Sequence, residues 1–371
     1  MTDAALASLN QQVLWAAFFI AAAFGALVHR TGFCTMGAVS DAAIVGDYTR
    51  LRQWALAAAV ATLGFALLSF AGLVRAPQTL YASNKWLWLS ALAGGAVFGF
   101  GMVLSSGCVS KTLVRLGGGS LKALVVTLVT AVTAFATLKG LTAVWRTQTV
   151  DRVTADLAAN ADVATLLARG TGMSPGGAAL LAGAVIGGAL LLFSLASRDA
   201  RRPLNLAAGI GIGALVLAMW WVTGHLGHLA EHPQTLEESW LATNSTRAEA
   251  LSFVAPTAFA LDWVMFFSDA AKRTTVGIVS VAGVILGAAA MALARREFHW
   301  QGFAGTPDLG HHLVGGALMG VGGVTALGCS IGQGVSGVST LSLTSFVAVA
   351  AMIAGALGAV RYQTWRLERD A

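Results

Sequence analysis

The sequence predicts an all-α integral membrane protein, because apolar residues dominate it and charged residues are scarce. Hydrophobic residues make up 56% of the chain and charged residues 11%, with a mean hydropathy of +0.73. Soluble domains carry about 25% charged residues. Between Arg52 and Arg75, Arg202 and His225, and Arg273 and Arg295 there is no charge. Each of these windows has the length of a bilayer-spanning helix, roughly 20 residues.

Apolar runs along the chain predict about nine transmembrane helices. No basic residue precedes the first run, which argues for a retained span rather than a cleaved signal peptide. The basic loop 197–202 marks the cytoplasmic side by the positive-inside rule, and the acidic loop 231–249 is expected on the opposite side. The predicted spans are 13–29, 53–74, 86–106, 121–138, 178–197, 204–224, 276–294, 312–327 and 343–360.

Several Gly-rich or polar segments between these spans are too short to cross a bilayer. They are 32–44, 105–120 and 253–267, together with the polar passage 325–342 inside a run without charge. Non-helical backbone at membrane depth survives only where protein or a polar ligand satisfies its amides and carbonyls. These segments therefore predict half-length re-entrant helices. Ser120, and Ser339 or Thr340, are the expected N-caps of the helices that follow.

Two of the broken segments resemble each other, which predicts an internal repeat. GMVLSSGC (101–108) and GGVTALGC (322–329) both place Gly seven residues before Cys and Gly directly before it. Broken helices at matching positions of two halves are typical of transporters. We therefore predict one membrane domain, 1–371, with two pseudo-symmetric, inverted halves. The first is 1–140, the second with a short tail is 178–371, and 141–177 is an extramembrane connection.

The three cysteines of the chain are Cys34, Cys108 and Cys329, and each lies in a Gly-flanked break. A single buried Cys is usually a small packing residue. Because all three cysteines lie at breaks, we predict a functional role for them instead. A thiol is a weak donor and a soft acceptor, which suits contact with another sulfur atom. With no CxxC, neither a disulfide framework nor a thiolate metal site is expected.

The oxygens of an anion would be bound by harder groups beside the thiols. Helix N-termini carry partial positive charge and free N–H groups, so a Gly-rich break followed by a helix suits an anion. Lys111 adds a charge near Cys108. The predicted supporting site consists of Gly107, Gly328, Ser106, Ser110, Ser330, Gln333, Ser336 and Lys111.

Other polar residues carry weaker signals. His225, His228 and His232 have the spacing of one helix face and could hold a metal, but a solvated helix end explains them better. Asp41 and Asp47 lie near a predicted break, where charge is costly and often functional. No cofactor and no metal centre is predicted, and no GxxxxGKS motif supports direct use of ATP. Nucleic acid is not an expected partner.

The motifs around the cysteines resemble the YeeE/YedE family of sulfur-transport membrane proteins. They are HRTGFCTMGAVSD (29–41), FGFGMVLSSGC (98–108) and GGALMGVGGVTALGCSIGQGVSGVSTLS (315–342). The likeness covers most of the chain except 139–177. It implies about nine spans in two halves and uptake of thiosulfate across the bacterial inner membrane. It also implies that Cys34, Cys108 and Cys329 line the central route, passing the anion on by S–H···S contacts.

The resemblance leaves the substrate and its handling open. It implies a separate TusA-type sulfurtransferase as a cytoplasmic partner, while some relatives handle selenium or other sulfur species. A membrane thiol enzyme acting on sulfane sulfur is one alternative, and the lack of CxxC and of a base near each Cys counts against it. A soft-metal transporter is another, and only Met36 and Met102 lie near the thiols. A permease, not an enzyme, is the leading interpretation.

Overall fold

The computed structural model describes residues 3–370, and most of these residues are helical. Eight helical segments within this range are long and apolar enough to cross a membrane. This confirms the predicted all-α membrane protein. The long helices are α1 (Asp3–Thr31), α3 (Thr49–Phe70), α4 (Trp88–Leu104), α6 (Leu121–Lys139), α9 (Pro175–Leu195), α10 (Pro203–Trp221), α12 (Val276–Ala294), α13 (Thr306–Thr325) and α14 (Leu343–Asp370).

Shorter elements fill the breaks and the loops. Half-length helices lie in the predicted broken segments: α2 (Thr35–Ser40), α5 (Val109–Gly117) and α11 (Val254–Met265). The connection 141–177 holds α7 (Leu141–Gln148) and α8 (Val163–Thr171). Two small antiparallel ribbons pair β1 (Lys85–Trp86) with β2 (Ala155–Asp156), and β3 (His228–Leu229) with β4 (Ser239–Trp240).

Glycines let the long helices approach backbone to backbone. A Cβ built on Gly99 of α4 would lie 2.0 Å from the carbonyl oxygen of Met352 in α14, and one on Gly355 of α14 would lie 2.0 Å from that of Ala96. Gly287 of α12 meets the carbonyl oxygen of Ala22 in α1 in the same way. Small residues at such crossings are how membrane helices gain close packing without a hydrophobic driving force.

The bundle has a basic and an acidic end. The start of α1 lies beside Thr275, which directly precedes α12. Near the end of α1, the His29 Nδ1 lies 3.7 Å from a carboxylate oxygen of Glu297, just after the end of α12. Helices α1 and α12 therefore run in parallel. We call the end with loops 197–202 and 295–305 the basic end, and the end with loop 227–253 the acidic end. These loops lie at opposite ends of α10, as the predicted topology requires. The side of the membrane that each faces stays a prediction.

Three local predictions can be compared with the structure. Ser120 is the N-cap of α6 and accepts from the Ala123 N–H at 3.4 Å, which confirms it. The N-cap predicted at Ser339 or Thr340 is wrong. Helical structure continues through Ser339, and α14 begins only at Leu343. An inserted residue, described below, accounts for part of this difference.

The interpretation of three histidines as one helix face is also wrong. Helical structure ends at Leu226, and His228 lies in β3, where its Nε2 is 2.8 Å from Glu238. Within residues 3–370 no group of three His, Cys, Asp or Glu side chains is placed to hold a metal. The count of nine spans and the pseudo-symmetry of the halves stay predictions.

Candidate functional site

Each cysteine lies at the first turn of a short helix. Cys34 is the N-cap of α2, and its Sγ accepts from the Gly37 N–H at 3.4 Å. Cys108 is the N-cap of α5. Cys329 precedes the helical segment 330–339, and its Sγ accepts from the Gly332 N–H at 3.4 Å. All three thiols are buried and free. The breaks therefore present sulfur at three helix N-termini, where the partial charge is positive.

The turns before Cys108 and Cys329 have matching backbone conformations. Ser106 and Leu327, each two residues before a Cys, have φ of 56° and 59°. The N–H of Gly107 donates to the Met102 carbonyl, and that of Gly328 donates to the Gly323 carbonyl, both at 2.8 Å. Left-handed residues closing such bonds end helices in Schellman motifs. The repeat seen in the sequence is therefore a repeat of local structure at these two turns.

One inserted residue makes the second copy different from the first. Cys108 and Cys329 are 221 residues apart, yet the bridged residues after the two short helices, Ser120 and Ser342, are 222 apart. The extra residue is taken up as π-helix over Gly332–Gly337. Single π-helical turns inside α-helices frequently mark functional sites. The π-turn accounts for one of the two or three residues by which the predicted cap, at Ser339 or Thr340, precedes Ser342.

The two short helices start together and run apart. Cys108, at the start of α5, lies beside the Ser330 hydroxyl, at the start of 330–339. Helix α5 ends at the basic end, where the Gly118 carbonyl accepts from the His299 N–H at 3.2 Å. The 330–339 segment ends toward the acidic end. There the Leu341 carbonyl accepts from the Val163 N–H at 3.0 Å. Two helix N-termini thus converge on one region from opposite directions.

The Cys34 thiol completes this cluster. It lies close to the Cys108 thiol, and the Lys111 ammonium is near enough to interact electrostatically with both. The backbone N–H of Lys111 also points to the Cys108 sulfur. Cys329 is close enough to Cys108 to interact electrostatically with it. The three cysteines, far apart in sequence, are therefore brought into one buried region.

The residues predicted to support anion binding do not all lie beside the thiols. Ser110 Oγ lies 3.2 Å from Cys108 Sγ, so this hydroxyl belongs to the thiol cluster. Ser106 is exposed, and its carbonyl accepts from the Arg115 guanidinium at 3.3 Å. Gly107 and Gly328 each precede a Cys in the matched turns, and Gly328 also borders a cavity. Ser336 is fully buried and donates to the Leu251 carbonyl at 2.8 Å. Their predicted roles in binding an anion stay predictions.

Gln333 holds the broken segment together. Its side chain is fully buried, and its Nε2 donates to the Ala326 carbonyl at 2.5 Å. Its Oε1 accepts from the Ser345 hydroxyl at 2.5 Å. One amide thus ties the turn before Cys329 to the start of α14. A buried group with both partners satisfied stabilises, whereas leaving those partners unpaired costs about 1–3 kcal/mol each.

Replacing Gln333 with leucine is expected to lower the free energy of unfolding by about 2–4 kcal/mol, because Ser345 and the Ala326 carbonyl lose their partner. The double variant Gln333→Leu/Ser345→Ala should lose less than the sum of the single changes, since they share one hydrogen bond. Thermal unfolding in detergent measures this. Strict additivity would show that the hydrogen bond to Ser345 contributes nothing.

Two aromatic residues at this site were missed by the sequence analysis. The Tyr81 hydroxyl donates to the Gly332 carbonyl at 2.5 Å, and the Trp220 Nε1 donates to the Ser339 hydroxyl at 3.0 Å. Both are buried and pack edge to face. Carbonyls freed by a π-turn need such external donors. No local sequence signal marks these two, because their partners are more than 100 residues away.

A cavity of about 190 Å³ lies on the acidic side of the cluster and is bordered by Gly328. Arg146 lines it, with Nε 3.4 Å from Asp151 Oδ2. Glu249 also lines it, and its Oε1 accepts from the N–H groups of Asn244 at 3.0 Å and Ser245 at 2.6 Å. Burial raises the pKa of Glu249, although these amides favour its charged form. A mostly apolar chamber with Arg146 and Glu249 in its lining therefore adjoins the residue before Cys329.

The sequence is similar to those of known transporters. The model of the Sulphur transport family matches residues 30–358. The chain is 26% identical to the thiosulfate transporter TsuA of Spirochaeta thermophila, over 92% of this chain and 97% of the relative. It is also 26% identical to TsuA of Escherichia coli, over 90% of each chain. A shorter match, 30% identical over 30% of this chain, is to the probable transporter YedE of Escherichia coli.

The fold and the matched range define the class of this protein, a multi-pass membrane transporter rather than an enzyme. The chain belongs to the Sulphur transport family. The matched residues include all three cysteine-bearing helix starts, so the family resemblance in the sequence is confirmed.

Proposed function

We propose that this protein takes up thiosulfate, or a similar sulfur-containing anion, across the bacterial inner membrane. The observation that carries the proposal is the convergence of three free thiols, each at a helix N-terminus, in one buried region. The relatives that match over nine-tenths of the chain are named thiosulfate transporters. Thiosulfate combines a soft terminal sulfur with hard oxygens, which matches thiols set among backbone amides.

The order of the groups along the bundle supports a route through the thiols. The cavity at the acidic end is bordered by Gly328, the residue directly before Cys329. Cys108 is next, beside Ser330, and its thiol lies close to that of Cys34. Beyond them toward the basic end lie Lys111 and Arg115. An anion moving from the acidic to the basic end would meet Cys329, Cys108 and Cys34 in turn and then positive charge.

The cytoplasmic side is proposed to be the basic end. Its arginines, in loops 197–202 and 295–305, are the residues that the positive-inside rule places in the cytoplasm. A TusA-type sulfurtransferase, as a separate cytoplasmic protein, would then receive the sulfur species at that end. Uptake needs no cofactor, since the anion is passed on without covalent change.

Expression of this chain in a host that lacks sulfate uptake tests the proposal. Growth on thiosulfate as the sole sulfur source is expected, with no growth of the empty-vector strain and none on sulfate. Selenium compounds added as competitors identify a preference for a different soft anion. Absence of growth on thiosulfate, with the protein present in the membrane, would contradict the proposed substrate.

A further inference from the structure

Lys111 carries an ammonium group that has no partner in the fold and lies beside two thiols. Its side chain packs over Gly107, where a built Cβ would lie 3.4 Å from the Lys111 Cγ. The residue is half-buried, and within residues 3–370 its Nζ makes neither a hydrogen bond nor an ion pair. Nζ is not one of the fully buried unpaired atoms of this part of the chain, so it stays accessible. Since it also interacts electrostatically with Cys34 and Cys108, this cation is placed to meet an anion there.

Arg50 reaches the same region from the first turn of α3. Its guanidinium lies directly against α2, because a Cβ built on Gly37 would be only 2.6 Å from the Arg50 Nη1. The N–H of Gly37 is the group that donates to the Cys34 sulfur. Arg50 is also within electrostatic reach of the Lys111 ammonium. A second cation therefore lies beside the helix that begins at Cys34.

Positive charge outweighs negative charge around these two thiols. Arg115 is a third cation, within electrostatic reach of the same ammonium. Of the ion pairs formed within residues 3–370, only that between Asp41 and Arg50 includes one of the three cations. Asp308 acts on Arg115 from a distance, but its carboxylate is paired with Lys122. Cations held close together repel one another, and an anion among them would remove that repulsion.

The ion pair between Asp41 and Arg50 has the properties of a removable cover. Asp41 begins the π-helical turn Asp41–Val45 that follows α2, and its Oδ2 lies 3.2 Å from the Arg50 Nη1. The Arg50 and Asp41 side chains are 46% and 31% exposed. Such exposed ion pairs are weak, because water screens them and holding two side chains in place costs entropy. A dianion, with twice the charge of a carboxylate, can therefore take the place of Asp41 at Arg50.

We propose that Lys111 and Arg50 form an exit site on the basic side of the thiols. This site binds the oxygens of a sulfur-containing dianion as it leaves Cys34 and Cys108, and Asp41 neutralises Arg50 while the site is empty. The inference rests on the proposed function and adds the exit step to it. Charged nitrogen donors bind anionic oxygens about twice as strongly as neutral donors do. Because Asp41 competes for Arg50, the anion is bound without being trapped, as conduction requires.

Transport kinetics measured from each side of the membrane test the inference. Entry of ³⁵S-thiosulfate is followed in inside-out vesicles, where the basic end faces the medium, and in right-side-out vesicles from the same cells. Arg50→Gln and Lys111→Gln should each raise the KM about tenfold in inside-out vesicles, the loss expected for one charge-assisted hydrogen bond. In right-side-out vesicles the KM should stay close to that of the wild type. Asp41→Asn should lower the KM in inside-out vesicles, because Arg50 loses its competitor, and Arg50→Lys should recover most of the affinity.

A second exposed ion pair at the same end of the bundle provides matched controls. The Arg202 Nη2 lies 2.8 Å from the Asp199 Oδ1, in the basic loop 197–202. Arg202→Gln and Asp199→Asn make the same changes of charge and should leave the KM from either side unchanged. An equal rise in KM for Arg202→Gln would show a general surface potential and overturn the exit site. A wild-type KM in both Arg50→Gln and Lys111→Gln would also overturn it. Either result leaves the proposed function standing, whereas no thiosulfate transport by the wild type would overturn both.

Discussion

Replacing Cys108 or Cys329 with serine is expected to abolish most thiosulfate uptake while the protein still folds. Serine puts a hydroxyl of similar size in place of the thiol and is itself a preferred N-cap residue. The helix starts at these positions are therefore retained. What is lost is the soft sulfur. We expect the uptake rate to fall about tenfold or more at each site, equivalent to at least about 1.4 kcal/mol of lost stabilisation. Cys34→Ser should show a partial loss.

Alanine variants separate the sulfur from the helix cap. Cys329→Ala loses both the sulfur and the acceptor for the Gly332 N–H. If sulfur contact carries transport, the Ser and Ala variants should lose uptake alike and differ only in melting temperature. Ser194→Ala, a buried change of similar size on α9, is the control and should transport normally. Wild-type uptake by a triple Cys→Ala variant, present at wild-type level, would end the thiol route.

Valine at Gly99 or Gly355 is expected to prevent accumulation of the folded protein. A Cβ at either position would lie 2.0 Å from a backbone carbonyl oxygen of the facing helix, so α4 and α14 would have to separate. Overpacking of a core typically costs about 1–3 kcal/mol, and more where backbone must move, so we expect a loss of about 3 kcal/mol or more. Fluorescence-detected gel filtration with heating measures the remaining folded fraction.

Glycines that face open space provide the control. Nothing lies within 4 Å of a Cβ built on Gly358 of α14 or Gly188 of α9. Alanine at these helical positions should leave the protein folded and raise its stability by roughly 0.5–1 kcal/mol, the helix preference of Ala over Gly. A normal melting temperature for Gly355→Val would show that the crossing of α4 and α14 is looser than the structure describes.

The local character of the chain follows from the sequence because it depends on composition and short-range pattern. Scarce charge and long apolar runs require spanning helices, since only helices satisfy their own backbone in lipid. The Gly-Cys breaks predicted the half-length helices, and Ser120 predicted the start of α6. The repeat of GMVLSSGC in GGVTALGC also indicated the matching turns, because a left-handed residue closes both.

Tertiary structure alone decided which residues meet at the site. The thiols of Cys34 and Cys108 are 74 positions apart in the sequence and come together only when the helices pack. The Trp54 indole packs against Gly334, which lies 280 positions further along the chain. The segment that holds the inserted residue as a π-turn is fixed at both ends by distant partners, Tyr81 at Gly332 and Trp220 at Ser339. Such contacts depend on distance in space, which periodicity and composition do not encode.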